Sequence, residues 1–529
     1  MANTLVLKPY VRRREPGPIS RFVAGAGLIA LAAFYGLMCS VMPMQLIMVP
    51  AVPILLMTAL CLWLLPDIGE VNVDRVGGGL IWYLGMFGVW PSYVAIDLPG
   101  LPWITPSRVA IGVMILLALL NLSMSSWWRR EIWQRINAAP ALNRLFWAFF
   151  ACTTISLVFS TSLSFSINKY FNNQVYWTMV FLMAAYFGSR PGFVYRTAQV
   201  MIVAMMVAVI VGINEARLQE VFWLPYLPSF LQVDPEFLER VAKSQARAGT
   251  DVYRVRGTFA VSLYFAEYLA MLVPTLIYFV INSTGMRKLA LYFALAGTVV
   301  VMYETNARSA MVGLLLTAVI YPFFTVWRAR HRNPTSVTST AGVFSYPAAM
   351  VVVALLVIFW RRAHVMILGG GQHQASSDAR DAQWTSGWPK VFSHPLGHGV
   401  ARSGEVLGYT NLDGELTIDT FYLSCLLDYG LLGLFTFLGL FSLPMWFGYR
   451  VYMDARTKEQ ELAIPMAIGL FNFVVIKAVL SSEGNIPLAF ALLGFIVGLT
   501  WQQKHGVAAA PVPAGAPPAP PRLGNPRRA

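Results

Sequence analysis

Charge is scarce in this chain: 12% of its 529 residues are Asp, Glu, Lys or Arg, while 57% are hydrophobic. A soluble domain of that length needs far more polar surface to cover its core, which excludes a soluble globular fold. Cysteine is rare too, and Cys39, Cys61, Cys152 and Cys425 all sit in or at the ends of apolar runs. They read as small packing residues, not as a disulfide framework or a thiolate metal site. The chain has no paired-Asp motif, and His373, His394 and His398 lack a sharp ligand spacing. No metal and no cofactor is therefore expected, and His394-Pro395-Leu396-Gly397-His398-Gly399 reads as a tight turn. Inverted internal repeats of the transporter kind are not visible.

What is present is a succession of membrane-length apolar runs, which predicts an all-α, polytopic integral membrane protein. About fourteen spans are expected, at residues 22–40, 44–65, 79–96, 108–126, 145–164, 174–189, 197–213, 258–281, 289–303, 310–327, 343–360, 420–447, 462–481 and 486–501. The first follows Arg12, Arg13, Arg14 and Arg21 like a signal peptide, but its full length and the run after it predict an uncleaved span. Residues 1–21 read as a cytoplasmic tail, 22–501 as the transmembrane domain and 502–529 as a disordered Pro/Ala-rich cytoplasmic tail. Trp127-Trp128-Arg129-Arg130 opens a segment that reads as an interfacial helix.

Lys and Arg set the orientation. With the N-terminus inside, the inner loops collect Arg129, Arg130, Arg190, Arg287, Arg328 and Arg450 among others, while the short outer loops hold Lys169 and Arg308, with Arg108 at a span end. The formal net charge of +14 is then loop bias, not a sign of nucleic acid. Both termini fall on the cytoplasmic side, and two long excursions, about 214–257 and 361–418, fall outside.

Ionisable groups gather at the outer span ends: Arg254 and Arg256, Arg308 after Glu304, Asp419, Lys169, and Lys477 with Glu483. Such charges are costly at a membrane edge and persist mainly when paired or used. Several cations with a carboxylate suit a polyanion site, because guanidinium binds phosphate oxygens in a fork and a carboxylate can take a proton from a sugar hydroxyl. Lys477 has two readings, neutralising Asp419 or pairing with Glu483. Gln383, Trp384, Trp388 and Tyr409 either stack on sugar faces or anchor an interfacial helix. Glu267 is the one carboxylate that would suit a transport path within the membrane.

Four motifs carry a family likeness: Arg256-Gly257-Thr258-Phe259, Thr305-Asn306-Ala307-Arg308-Ser309-Ala310, Pro395-Leu396-Gly397-His398-Gly399, and Asp419-Thr420-Phe421-Tyr422-Leu423 through Asp428-Tyr429-Gly430. In order, spacing and sidedness they resemble the O-antigen ligase and polymerase-like superfamily of bacterial envelope glycosyltransferases. The resemblance implies a GT-C-like membrane enzyme of the bacterial inner membrane acting on an undecaprenyl-pyrophosphate-linked glycan at the periplasmic face. It further implies that Arg256 and Arg308 bind pyrophosphate and that Asp419 is the base; beside them, Arg254, Lys169, Lys477, Trp384, Trp388 and Tyr422 are expected around the substrate. Asp428 takes the place of the family's Glu and reads as a helix-positioning group. Asp419 stands where the ligase branch has His, which favours an exopolysaccharide or O-antigen polymerase. O-antigen ligase, protein O-oligosaccharyltransferase and, in another class, a flippase of lipid-linked glycans are the alternatives. Expected partners are the lipid-linked glycan, membrane lipids, and a chain-length regulator or export machinery.

Overall fold

The computed structural model describes residues 26, 33, 67–97, 103–231, 253–359, 374–410, 416–481 and 483–506. In chain order the helices are α1 (Asp74–Val89), α2 (Pro106–Met124), α3 (Ser126–Ile136), α4 (Pro140–Ser156), α5 (Leu163–Gln174), α6 (Val180–Gly188), α7 (Phe193–Leu218), α8 (Ser262–Asn282) and α9 (Gly285–Glu304). They continue as α10 (Arg308–Arg332), α11 (Val337–Phe359), α12 (Gln374–Ser393), α13 (Ser403–Leu407), α14 (Phe421–Ser442), α15 (Pro444–Met453), α16 (Lys458–Glu461), α17 (Ala463–Lys477) and α18 (Ile486–His505). Among the described residues there is no strand, only the isolated bridges Ile96–Ile104 and Thr410–Leu416.

Nine helical stretches among the described residues are long and apolar enough to cross a membrane, which makes the chain a multi-pass membrane protein. Each coincides with an expected span. Three further expected spans correspond to α1, to α5–α6 and to α11, and those at 22–40 and 44–65 lie outside the described residues apart from Ala26 and Ala33. The expected tail at 1–21 also lies outside, while α18 carries helix to His505, past the expected start of the C-terminal tail at 502.

Two expectations need correction. Helix α1 occupies 74–89 and not 79–96: Asn72 Oδ1 accepts the Asp74 N–H at 2.9 Å and starts it early. Beyond Val89 the chain leaves the helix, and Trp90 Nε1 donates to Val94 O at 2.6 Å across Pro91. The connection expected at 166–173 is helical instead. Helix α5 runs through it and joins α6 by a π turn at Val175–Met179, so this helix is continuous from Leu163 to Gly188.

The bundle has an inner and an outer population. Helices α8, α17 and α18 are buried nearly all round, whereas α2, α9 and α10 bury little of theirs. Large apolar residues on the outer set, such as Leu116, Phe293 and Val351, face outward, as lipid-facing residues do. Helix α3 forms as expected, with Trp133 exposed, but Trp128 is buried edge-on against Tyr186.

Polar contacts divide between the two ends of the bundle. One end holds the Arg190–Asp74 pair at 2.8 Å, the Arg328–Glu461 pair at 2.9 Å, and the Glu459 carboxylate. That carboxylate accepts N–H bonds from Gly192 (2.6 Å) and Val194 (2.7 Å) and so caps α7. The other end joins α1 to the start of α8 through Thr258 Oγ1–Gly88 O (2.8 Å), and α5 to the loop before α13 through Ser166 Oγ–Val400 O (2.9 Å). Arg254, Arg256, Glu304, Arg308, Asp419 and Glu483 lie at this second end, in links or at helix termini.

Candidate active site

The turn between α9 and α10 is built by Asn306, whose φ of 49° is a left-handed conformation that Asn tolerates better than most residues. Arg308 then opens α10 and is half-buried. The Arg254–Arg256 segment docks on this turn. Val255 N donates to Glu304 O at 3.1 Å and Arg254 Nε to Thr305 O at 3.2 Å. The two basic motifs, about fifty residues apart in the chain, thus form one structure.

Glu215, in the last turn of α7, anchors that segment and was missed from sequence. Its Oε1 accepts from Arg256 N (3.1 Å) and the Tyr253 hydroxyl (2.9 Å), and its Oε2 accepts from Gly257 N (2.7 Å). Burial and the adjacent Glu215 carboxylate both push the Tyr253 hydroxyl up, which keeps it a donor. Arg256 Nε lies 3.9 Å from Glu215 Oε1, and Arg256 is only 2% exposed. Its Nη1 donates to Ala260 O at 3.4 Å, and its buried Nη2 has no partner among the described residues. A buried guanidinium with an unused N–H edge is costly unless a ligand meets it.

The second excursion contributes a docked lid. Helix α12 carries Trp384, Trp388 and Phe392, one turn apart, with ring centroids 5.2 and 5.6 Å apart in succession. Trp384 packs against the small cluster of Val391, Leu407 and Leu423, while Trp388 is exposed. After α12 the chain lies against a break in α14. Gly430 there has φ 74° and ψ −174°, a region open to glycine. A Cβ on Gly430 would sit 2.1 Å from Pro395 O, and one on Gly397 would sit 2.3 Å from Asp428 O. This close approach lets His398 N reach Leu427 O (2.8 Å) and Leu431 N reach Pro395 O (3.0 Å). His398 Nδ1 lies 3.1 Å from the same Leu427 carbonyl, and burial pushes the imidazole down.

Asp428, expected as a helix-positioning group, ties the loop at Arg402 and Ser403 to α14. Its Oδ1 accepts from Arg402 N (2.8 Å) and Ser403 N (2.6 Å), capping α13. Asp419 is half-buried at the edge of the lid, with its N–H donating to Gln383 Oε1 at 2.9 Å. Burial raises its carboxyl above the ordinary range, opposed by the nearby Arg380 and by Gln383. Tyr422 spends its hydroxyl on Val474 O.

Lys477 ends α17, as expected, but meets a carboxylate that the sequence did not suggest for it. It is wholly buried, and its Nζ lies 2.9 and 3.2 Å from the two oxygens of Glu267, itself wholly buried. Asn485 Nδ2 also donates to Glu267 Oε2 at 2.8 Å, and Phe421 and Phe473 present their rings to the ammonium at 5.4 and 5.0 Å. Among the described residues its ion pair is thus with Glu267, and Glu483 acts on it electrostatically as well. Lys169 is exposed, with its ammonium over Phe165.

A cavity of about 320 Å³ opens at this same end. Its walls include Arg108, Asn172, Asn173, Tyr176, Thr258, Ala260, Glu483 and Asn485. Among the described residues, none of the nine picked from sequence lines it; Arg256 borders it through Ala260. No cluster of three His, Cys, Asp or Glu suited to a metal occurs among the described residues.

A multi-pass membrane protein with arginines, carboxylates and a polar cavity gathered at one end is the class defined so far. Residues 291–438 match the family model for O-antigen ligase, which is consistent with the O-antigen ligase and polymerase-like superfamily. The matched stretch includes the Arg308 turn, the lid, Asp419 and Asp428; Arg254, Arg256, Glu215 and Glu483 lie outside it. No curated protein matches the chain.

Proposed function

We propose that the chain is a membrane glycosyltransferase that polymerises undecaprenyl-pyrophosphate-linked oligosaccharide repeats in exopolysaccharide or O-antigen synthesis. The observation that carries this reading is the docking of the Arg254–Arg256 segment onto the Arg308 turn, which lies within the O-antigen ligase match. An acceptor hydroxyl attacks the anomeric carbon, and the C–O bond to pyrophosphate breaks with its electron pair on the leaving oxygen. Arg308 and the free edge of Arg256 bind that developing charge. Proton removal falls to a carboxylate at the same end; the resemblance points to Asp419. The Lys and Arg excess of the opposite end supports placing this end on the periplasmic side of the inner membrane, with both termini cytoplasmic.

The flippase reading draws less support. Glu267, its main candidate for a charge along a transport path, is buried and held by Lys477 and Asn485. The O-antigen ligase match keeps the ligase reading in play, and the acceptor decides between the two. Purified protein reconstituted with the lipid-linked oligosaccharide alone is expected to extend chains. Product formed only after adding a lipid core or a protein means ligase or protein transferase, and movement without bond formation overturns the enzyme reading. Arg308→Lys is expected to lower turnover, since a point charge does not replace a bidentate fork.

A further inference from the structure

One carboxylate inside the cavity is unused by the reading above. Glu483 lies in the short link between α17 and α18, half-buried, in a wall shared with Asn172, Asn173, Asn485 and Arg108. Arg108 is oriented by its own backbone neighbour, with Nη1 donating to Trp103 O at 2.8 Å, and it lies beside the Tyr176 hydroxyl. Asn485 is fully buried and turns its Nδ2 to Glu267 and Tyr264 O, leaving Oδ1 without a partner among the described residues. The cavity therefore offers a carboxylate, a cation and amide groups with spare capacity, at a volume of about 320 Å³; small-molecule sites span roughly 300–1,000 Å³.

Asp419 is placed differently. It does not line the cavity, and it is tied to the lid through Gln383 and Arg380. The two carboxylates nevertheless share a neighbourhood, because Ser481 Oγ donates to Ile418 O. The charged and titratable groups acting on Glu483 are Lys169, Lys477, Asp428, Tyr264, Cys425 and Tyr429. Burial pushes the Glu483 carboxyl up, and Lys169 and Lys477 oppose this without cancelling it. A carboxylate raised in that way comes closer to the operating pH, where a general base is most effective.

Resting on the proposed glycosyl transfer, we infer that Glu483 is the general base for the acceptor sugar, in a cavity whose lining it shares with Arg108. The acceptor O–H bond breaks with its proton passing to the Glu483 carboxylate, while the oxygen forms the new bond to the anomeric carbon. The old C–O bond breaks with its electron pair on the lipid pyrophosphate, whose added negative charge is met by arginine. Glu483 then returns the proton to water.

The test uses full-length wild type, Glu483→Gln, Glu483→Asp and Asp419→Asn in proteoliposomes with purified undecaprenyl-pyrophosphate oligosaccharide. Loss of a general base lowers turnover by about 10²–10⁴-fold. Glu483→Gln is expected to fall in that range with KM within about threefold, and to lose the acid limb of the kcat–pH profile. Glu483→Asp is expected to recover part of the rate and to restore the limb. Glu483→Gln with wild-type turnover and pH profile, or loss of the acid limb in Asp419→Asn alone, overturns the assignment. A melting midpoint for Glu483→Gln matching wild type shows that the loss is chemical; if that variant unfolds, the rate and limb of Glu483→Asp decide. No bond formation by wild type with lipid-linked, core-lipid or protein acceptors sinks the glycosyl-transfer reading itself, before any variant is compared.

Discussion

Replacing Lys477 by Met should destabilise the protein strongly, and replacing its partner as well should restore much of the loss. Both side chains of the Lys477–Glu267 pair are fully buried, with contacts of 2.9 and 3.2 Å. At an effective dielectric of about 20, charges at that separation attract by roughly 5–6 kcal/mol. Desolvation offsets most of this, so the intact pair contributes little net stability. Removing one partner is another matter, because it strands a buried charge at a cost of about 3–5 kcal/mol. In Lys477→Met, Asn485 still donates to Glu267 and softens the loss, a bond to a charged group being worth about 1.5–3 kcal/mol. The expected loss is therefore about 3 kcal/mol for Lys477→Met. In Lys477→Met with Glu267→Leu, only the spare Asn485 donor is left, costing about 1–2 kcal/mol. Denaturant unfolding of purified protein in detergent measures both. A single variant as stable as wild type, or a double variant less stable than the single, refutes the buried pair. The same double variant, if it still turns over substrate, removes Lys477 from the substrate-binding set.

Three further outcomes follow from the lid and its anchors. Asp428→Asn keeps the Oδ1 acceptor for Arg402 N and Ser403 N, while Asp428→Leu orphans both N–H groups at about 1–3 kcal/mol each; limited proteolysis should cut the leucine variant faster between residues 394 and 410 and leave the asparagine variant near wild type. Gly430→Ala meets both an unfavourable φ of 74° and a Cβ placed 2.1 Å from Pro395 O, so folded, monodisperse protein should fall sharply on size-exclusion chromatography. For Asp419, a carboxyl raised by burial contributes stability below its ordinary titration range and loses it as pH rises through the raised value. Asp419→Asn should therefore gain melting temperature relative to wild type at neutral pH, and the gain should vanish under acid conditions; a constant difference across pH contradicts the burial.

Periodic, local features were legible in the sequence. Apolar length marked each span among the described residues, and the loop bias separated the two ends. The Arg308 turn and the Arg254–Arg256 segment fell at the same end because topology alone brings them there. Asp428 was readable as a positioning group only through the resemblance, because it takes the place of the family's Glu. Other features depend on contacts that no local pattern encodes. Glu267 and Lys477 are 210 positions apart, and no local pattern shows which carboxylate Lys477 meets. Glu215 looked like the start of a loop because α7 continues past the apolar run before turning its carboxylate to Arg256. The polar stretch 166–173 mimics a connection, yet it stays helical because Ser166 and Asn173 are buried against other elements. Glu483 was visible as a charge, but its cavity is assembled from five separate parts of the chain.

The π turn at Val175–Met179 gives that cavity wall its phase. A π turn holds one residue more than the α-helical path it replaces. Everything on its N-terminal side, including Asn172 and Asn173, is wound about 100° further round than an unbroken helix would place it relative to α6. The wall is thus kept in step by a single surplus residue. Deleting one position inside the turn, Thr178 for instance, leaves every hydrogen-bonding side chain of the wall in the sequence and swings the asparagines off the cavity. In this helix a shift in count is a change of chemistry, and relatives compared across it would fall out of step without any substitution at all.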